Sequence, residues 1–129
     1  MASQPVASGT AIINSYIRGY HAYMEVWTPK IGEVLVVKRE AENPHHRYAV
    51  AIIKDGETVG HVPYNFAPIV SHFLKREVNK AFVEVTGDRI NRGGGYGLEV
   101  PCSYKFYGPE SYITKIKEVA ASLKDKGLL

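Results

Sequence analysis

The stretch Lys38-Arg39-Glu40-Ala41-Glu42-Asn43-Pro44-His45-His46-Arg47-Tyr48-Ala49-Val50, followed by Ala51 to Glu57 and then Thr58-Val59-Gly60-His61-Val62-Pro63, decides the reading of this chain. An apolar strand ends in a polar Asn43-Pro44 loop. A second strand follows at once, turns over Asp55-Gly56 and returns to Gly60-His61. Asp and Gly tolerate the positive φ that a two-residue hairpin turn demands. Two strand edges, one rigid loop and His45, His46 and His61 are thereby brought close together. The pattern predicts a groove floored by strands and rimmed by polar and aromatic side chains, which suits single-stranded nucleic acid.

Outward from that stretch, the chain alternates between strand and helix signals. Met1 to Thr10 is small and polar and reads as a disordered lead-in. Ala11 to Met24 reads as a strand, or two short ones interrupted at Gly19. Trp27 to Gly32 is a connector punctuated by Pro29 and Gly32. Val34-Leu35-Val36-Val37 is a continuous apolar run that fits a buried strand.

From Tyr64 to Arg76 the period changes. Phe66, Ile69, Val70, Phe73 and Leu74 fall at helical spacing, with Pro68 in the first turn. Ala81 to Thr86 and Leu98 to Phe106 read as partner strands flanking the loop Asp88 to Gly97. A last helix opens at Pro109, carries Tyr112, Ile113, Ile116, Val119, Ala120 and Leu123 on one face, and ends at Gly127. The expected fold is mainly β with two α-helices near 64–76 and 109–126. Five or six strands would form a small, partly open antiparallel barrel of the oligonucleotide-binding type. Residues 11–129 form a single domain on this reading.

Composition narrows the function classes. A chain of 129 residues is one domain by size and buries about two-thirds of its unfolded surface. The single Cys102 excludes an intrachain disulfide framework. With no signal-peptide pattern, this implies a reducing, intracellular setting: nuclear in a eukaryote, cytoplasmic otherwise. No apolar run approaches the ~20 residues of a membrane span, so no membrane partner is expected. Net charge is +3 and the pI is about 8.9, which permits binding to a short stretch of phosphate backbone. A small excess of lysine on a solvated surface explains the same balance.

Catalysis and metal binding find little support. Histidines at 21, 45, 46, 61 and 72 show no helical His-x-x-x-His spacing and no cysteine pair beside them. No paired carboxylates and no nucleophile–base spacing stand out. Gly93-Gly94-Gly95 and Gly97 lack the Lys-Ser/Thr of a phosphate loop. No catalytic residue, metal or cofactor is therefore assigned.

These residues resemble the HIRAN domain family. The resemblance rests on Arg39-Glu40, Asn43-Pro44 and Ala49-Val50, then Val59-Gly60-His61-Val62-Pro63 after the hairpin, and the aromatic ending Tyr104-Lys105-Phe106-Tyr107-Gly108. It covers about Ala11 to Leu129. It implies a modified oligonucleotide-binding barrel that captures the free 3′ end of single-stranded DNA, normally attached to a helicase or another DNA-repair engine. Here the helicase or nuclease would be supplied by another chain. The family's stacking tyrosine and end-binding aspartate fall at positions held here by His45 and His46. Imidazole can stack and can accept a hydrogen bond from a hydroxyl. The family's Arg-Tyr-Tyr falls on His21-Ala22-Tyr23, and a lysine after the Gly-His pair is replaced by Tyr64.

The resemblance thus implies a nucleic-acid-binding set of Tyr23, Arg39, Asn43, His45, His46, His61 and Tyr64 on one continuous surface, with DNA favoured over RNA. Each residue also has a structural reading: Asn43-Pro44 as a plain turn, Arg39 as an ion-pair partner, His61 as a hydrogen-bonded structural histidine. The alternative function is a protein-interaction domain on the same barrel with the DNA-end pocket lost. Rising salt separates the two, because phosphate binding weakens steeply with salt and an apolar interface does not.

Overall fold

The computed structural model describes residues 8–44, 46–95 and 97–129. Strand β1 runs from Ser8 to Ile17. It therefore begins three residues inside the segment expected to be a disordered lead-in; the rest of that segment, residues 1–7, lies outside the described residues. The chain then turns at Gly19 into a 3-10 helix, Tyr20–Tyr23, where the strand, whole or interrupted, was expected to run on to Met24. Tyr20 is wholly buried there and donates its hydroxyl to the Trp27 carbonyl at 3.0 Å. One large side chain buried after the turn holds the segment in a compact coil instead of a pleat.

The remaining elements follow the sequence pattern closely. They are β2 (Val34–Arg39), β3 (Val50–Lys54), β4 (Glu57–His61), α1 (Ala67–Leu74), β5 (Lys80–Val85), β6 (Ile90–Asn91), β7 (Leu98–Pro109) and α2 (Glu110–Asp125). Seven strands form among the described residues, one or two more than expected. The addition is β6, a two-residue strand inside the glycine-rich loop that pairs with the start of β7. The β3–β4 hairpin turns over Asp55 and Gly56, both at positive φ (49° and 82°), with Lys54 opposite Glu57. That is the geometry a two-residue primed turn requires.

The sheet is antiparallel, in the order β1-β7-β5-β2-β3-β4. Its two edges meet at one point. Arg18, just past β1, and His61, the last residue of β4, exchange both backbone bonds, at 2.9 and 2.8 Å. The barrel is thus partly open, closed between β4 and β1 by a single residue pair. Gly60 makes that approach possible: a Cβ there would stand 2.4 Å from Ile17 Cγ2 and 3.2 Å from the Arg18 carbonyl oxygen.

Inward-facing residues alternate along the strands, as a barrel core requires. Leu35 and Val37 on β2 and Ala81, Val83 and Val85 on β5 are buried, while their neighbours are more open. Helix α1 adds Ala67, Val70 and Phe73 to this core, and α2 adds Ile113, Ile116 and Ala120. Phe66, Phe73 and Phe106 pack edge to face, with centroids 5.5 to 5.9 Å apart. At the end of α2, Gly127 N–H bonds to the Lys124 carbonyl and Leu128 N–H to the Leu123 carbonyl, the paired bonds of a Schellman cap. No helix among the described residues is long and apolar enough to cross a membrane.

Candidate nucleic-acid interface

The loop after β2 is fixed by its own short-range bonds. Glu40 N–H bonds to the Ala49 carbonyl at 2.8 Å, which closes the loop at its base. Asn43 Oδ1 accepts the His46 N–H at 3.0 Å, so the Asn43-Pro44 pair builds an Asx-type turn. His46 in turn accepts the Tyr48 N–H on Nδ1 at 3.2 Å. A neutral imidazole that accepts on Nδ1 carries its hydrogen on Nε2. Nε2 is buried and has no hydrogen-bond partner among the described residues. The Tyr64 ring lies against the His46 ring, centroids 4.4 Å apart and tilted by 36°. Tyr64 itself is 66% exposed.

The end of β4 faces this loop. His61 Nε2 lies 2.5 Å from Glu40 Oε1, and the Tyr23 ring lies 6.2 Å from the His61 ring. Partial burial and the nearby Glu40 carboxylate raise the Tyr23 hydroxyl above its ordinary pKa, so it stays a neutral donor. Arg18, bridged to His61 through the backbone, directs its guanidinium onto Glu99, with Nε 3.0 Å from Oε2. Glu99 is wholly buried and also takes Arg92 through Nε and Nη2, at 3.0 and 3.2 Å. Arg92 lies over the Tyr16 ring at 3.5 Å.

Asn43, His46, His61 and Tyr64, with Arg18, line one open cleft of about 260 Å³ floored by Ala49, Val50 and Val62. Among solved structures, the crystal structure of the HIRAN domain of human HLTF superposes at 17% sequence identity with a TM-score of 0.65 over 89% of this chain and 91% of that one. An NMR structure of the same domain gives 0.61 at 18% identity, over 93% and 92%. A further NMR structure shows the HLTF HIRAN domain in its DNA-bound conformation, with a TM-score of 0.61 at 17% identity over 91% and 88%. No curated protein sequence matches this chain. The family model of the HIRAN domain matches residues 7–107. This chain belongs to the HIRAN domain family.

The HIRAN barrel sets the seven residues expected to form the site in different relations. Four of them share the cleft, and Tyr23 stands beside it against His61. Arg39 points elsewhere: its Nε donates to Ser71 Oγ on α1 at 3.1 Å. It reaches the cleft only indirectly, through a neighbouring groove that it lines together with Asn43. His45 lies outside the described residues.

Two residues of the site were not singled out from sequence. Arg18 carries no motif of its own; Gly19 after it, where the strand was expected to be interrupted, was the available signal. Glu40 entered the sequence reading within the Arg39-Glu40 pair of the family pattern, whereas it faces His61 across the loop. The hydrogen-bond acceptor expected of His46 is engaged within the loop by Tyr48, which leaves the buried Nε2 as its nitrogen without a partner among the described residues.

Proposed function

We propose that this HIRAN domain is a binding module for single-stranded nucleic acid, DNA by preference, that seats the 3′ end of a strand in the cleft between the Asn43–His46 loop and the Gly60-His61 edge. The observation that carries this reading is the convergence of Arg18, Asn43, His46, His61 and Tyr64 on one cleft. It sits in a family whose HLTF member is known in a DNA-bound conformation.

Each group has a part it can play. The exposed face of Tyr64 continues the stack begun with His46 and offers a platform for a base; base–aromatic stacking contributes about 1–3 kcal/mol per base. Arg18, oriented by buried Glu99, supplies positive charge to a phosphate. His46, packed against Tyr64, holds that platform in place at the cleft wall. Glu40, opposite His61, supplies the acceptor that a free 3′ hydroxyl needs and repels a 3′ phosphate. This assigns end discrimination to Glu40. The domain would act in DNA repair or replication, with the helicase or nuclease on another chain.

Fluorescence anisotropy with a short strand ending in 3′-OH, the same strand ending in 3′-phosphate, and a blunt duplex tests the reading. The 3′-OH strand should bind most tightly, and Glu40→Gln should narrow its advantage over the 3′-phosphate strand. Equal binding of all three ligands, or a preference unmoved by Glu40→Gln, would contradict the end-binding assignment.

A further inference from the structure

A second surface lies where the sheet splits. β2 pairs with β5 only from Val34 to Val36. Beyond that point Val37, Lys38 and Arg39 pair with β3 alone, and Lys80 and Ala81 pair with β7 alone. The strands part and leave a wedge of about 810 Å³ floored by Leu74 and Asn79.

Its walls carry Lys38, Arg39, Arg76 and Lys80 against one carboxylate, Glu77. Arg39 is engaged by Ser71, and Arg76 lies over the Tyr112 ring at 5.1 Å. Lys38 and Lys80 are exposed and make no ion pair among the described residues. Phe82 lines the mouth of the wedge and packs edge-on against Tyr107, with centroids 6.1 Å apart; Tyr107 is 41% exposed. The neighbouring Glu84 is already paired with Lys105 at 2.7 Å.

Four cations around one carboxylate, beside a half-open aromatic pair, match the two halves of a nucleotide: phosphate and base. The wedge also connects to the cleft. Lys38 and Arg39 line the groove that runs past Asn43, and Asn43 lines the cleft. Glu42 stands on the rim of that middle groove, as does Glu40, which His61 engages.

The geometry points to the wedge as a second subsite for the same strand, in which Lys38 and Lys80 hold phosphates and the Phe82–Tyr107 pair stacks a base several nucleotides away from the end held in the cleft. This rests on the reading of the cleft as a strand-end site. It makes the domain a reader of strand length: a trinucleotide fills the cleft, and a longer strand gains the wedge.

The test is anisotropy with a fluorescent trinucleotide and a dodecanucleotide across a salt series, using the parent, Lys38→Gln/Lys80→Gln and Phe82→Ala. Circular dichroism confirms that each variant is folded. For the dodecanucleotide, the double lysine variant should lower the slope of log affinity against log salt by about 1.4, since each phosphate contact on a single strand contributes about 0.7. Phe82→Ala should weaken the dodecanucleotide roughly ten- to hundredfold. Trinucleotide binding should be unchanged in both.

If the dodecanucleotide binds the variants as it binds the parent, the wedge is not a subsite and the cleft reading stands. If neither oligonucleotide binds the parent, both readings fall. If octaglutamate displaces the dodecanucleotide from the wedge and Phe82→Ala has no effect, the wedge is an acidic-peptide site and the inference is overturned.

Discussion

At the scale of single residues, polar side chains in this domain act in pairs that sequence shows only one half at a time. His46 was legible as a loop histidine after Asn-Pro. Its orientation was not, because that depends on the Tyr48 N–H two residues on, which reaches back to Nδ1. Glu33 is a similar case. Its carboxylate accepts the Trp27 Nε1–H at 3.1 Å and the Lys30 N–H at 3.3 Å, and pairs with Lys54. Burial pushes the Glu33 pKa up, but Lys54, Trp27 and the Lys30 N–H together outweigh it and hold the group below its ordinary value. A carboxylate whose pKa is lowered by folding stabilises the fold above its unfolded pKa, and that contribution is lost as pH falls through the folded value. Glu33→Gln should therefore destabilise the protein at pH 7 by about 1.5–3 kcal/mol, the range for hydrogen bonds to a charged group. The difference from the parent should shrink as pH drops below the ordinary carboxylate range. Urea unfolding followed by the fluorescence of Trp27, the only tryptophan, reads this directly; a gap between parent and variant that does not change with pH would contradict it.

At the scale of elements, the strands and helices were largely readable because each carries its own period. β2 alternates buried and open residues, α1 repeats its apolar positions at helical spacing, and the Asp55-Gly56 turn states its own geometry. What escaped sequence reasoning were contacts between distant segments. Nothing local marks Tyr20 as a buried anchor, whose hydroxyl Arg89 reaches from far along the chain; Ile90–Asn91 escaped for another reason, being only two residues of strand opposite the start of β7. The closure at Arg18 and His61 is again a contact between distant segments, and Gly60 is its visible trace. Gly60→Ala should force the Cβ against Ile17, which is wholly buried, and against the Arg18 backbone. Overpacking of this kind costs about 1–3 kcal/mol. The urea midpoint should fall accordingly, while Glu57→Ala, at an exposed position on the same strand, should stay near the parent. A Gly60→Ala midpoint equal to that of Glu57→Ala would show that β4 and β1 are not held this closely.

At the scale of the whole molecule, the barrel brings the two halves of the site together. The loop after β2 and the end of β4 are separated by a hairpin, and β1 arrives from the start of the chain to meet them. Arg18 is then set by Glu99, far along the chain on β7, with Arg92 completing the buried cluster. The membership of Asn43, His46, His61 and Tyr64 in a common surface could be expected from the family pattern. The turning of Arg39 toward Ser71 could not, since Ser71 lies on a helix whose docking only the folded barrel fixes.

The central claim is that this cleft receives the end of a single strand. Backbone amide chemical shifts of the isotopically labelled protein, titrated with an unlabelled trinucleotide bearing a free 3′-OH, test it most directly. The account predicts saturable shifts centred on Arg18, Asn43, His46, His61 and Tyr64, with Lys80 and Phe82 unmoved. Shifts confined to another face of the barrel, or none at all as the trinucleotide is raised to millimolar concentration, would contradict it.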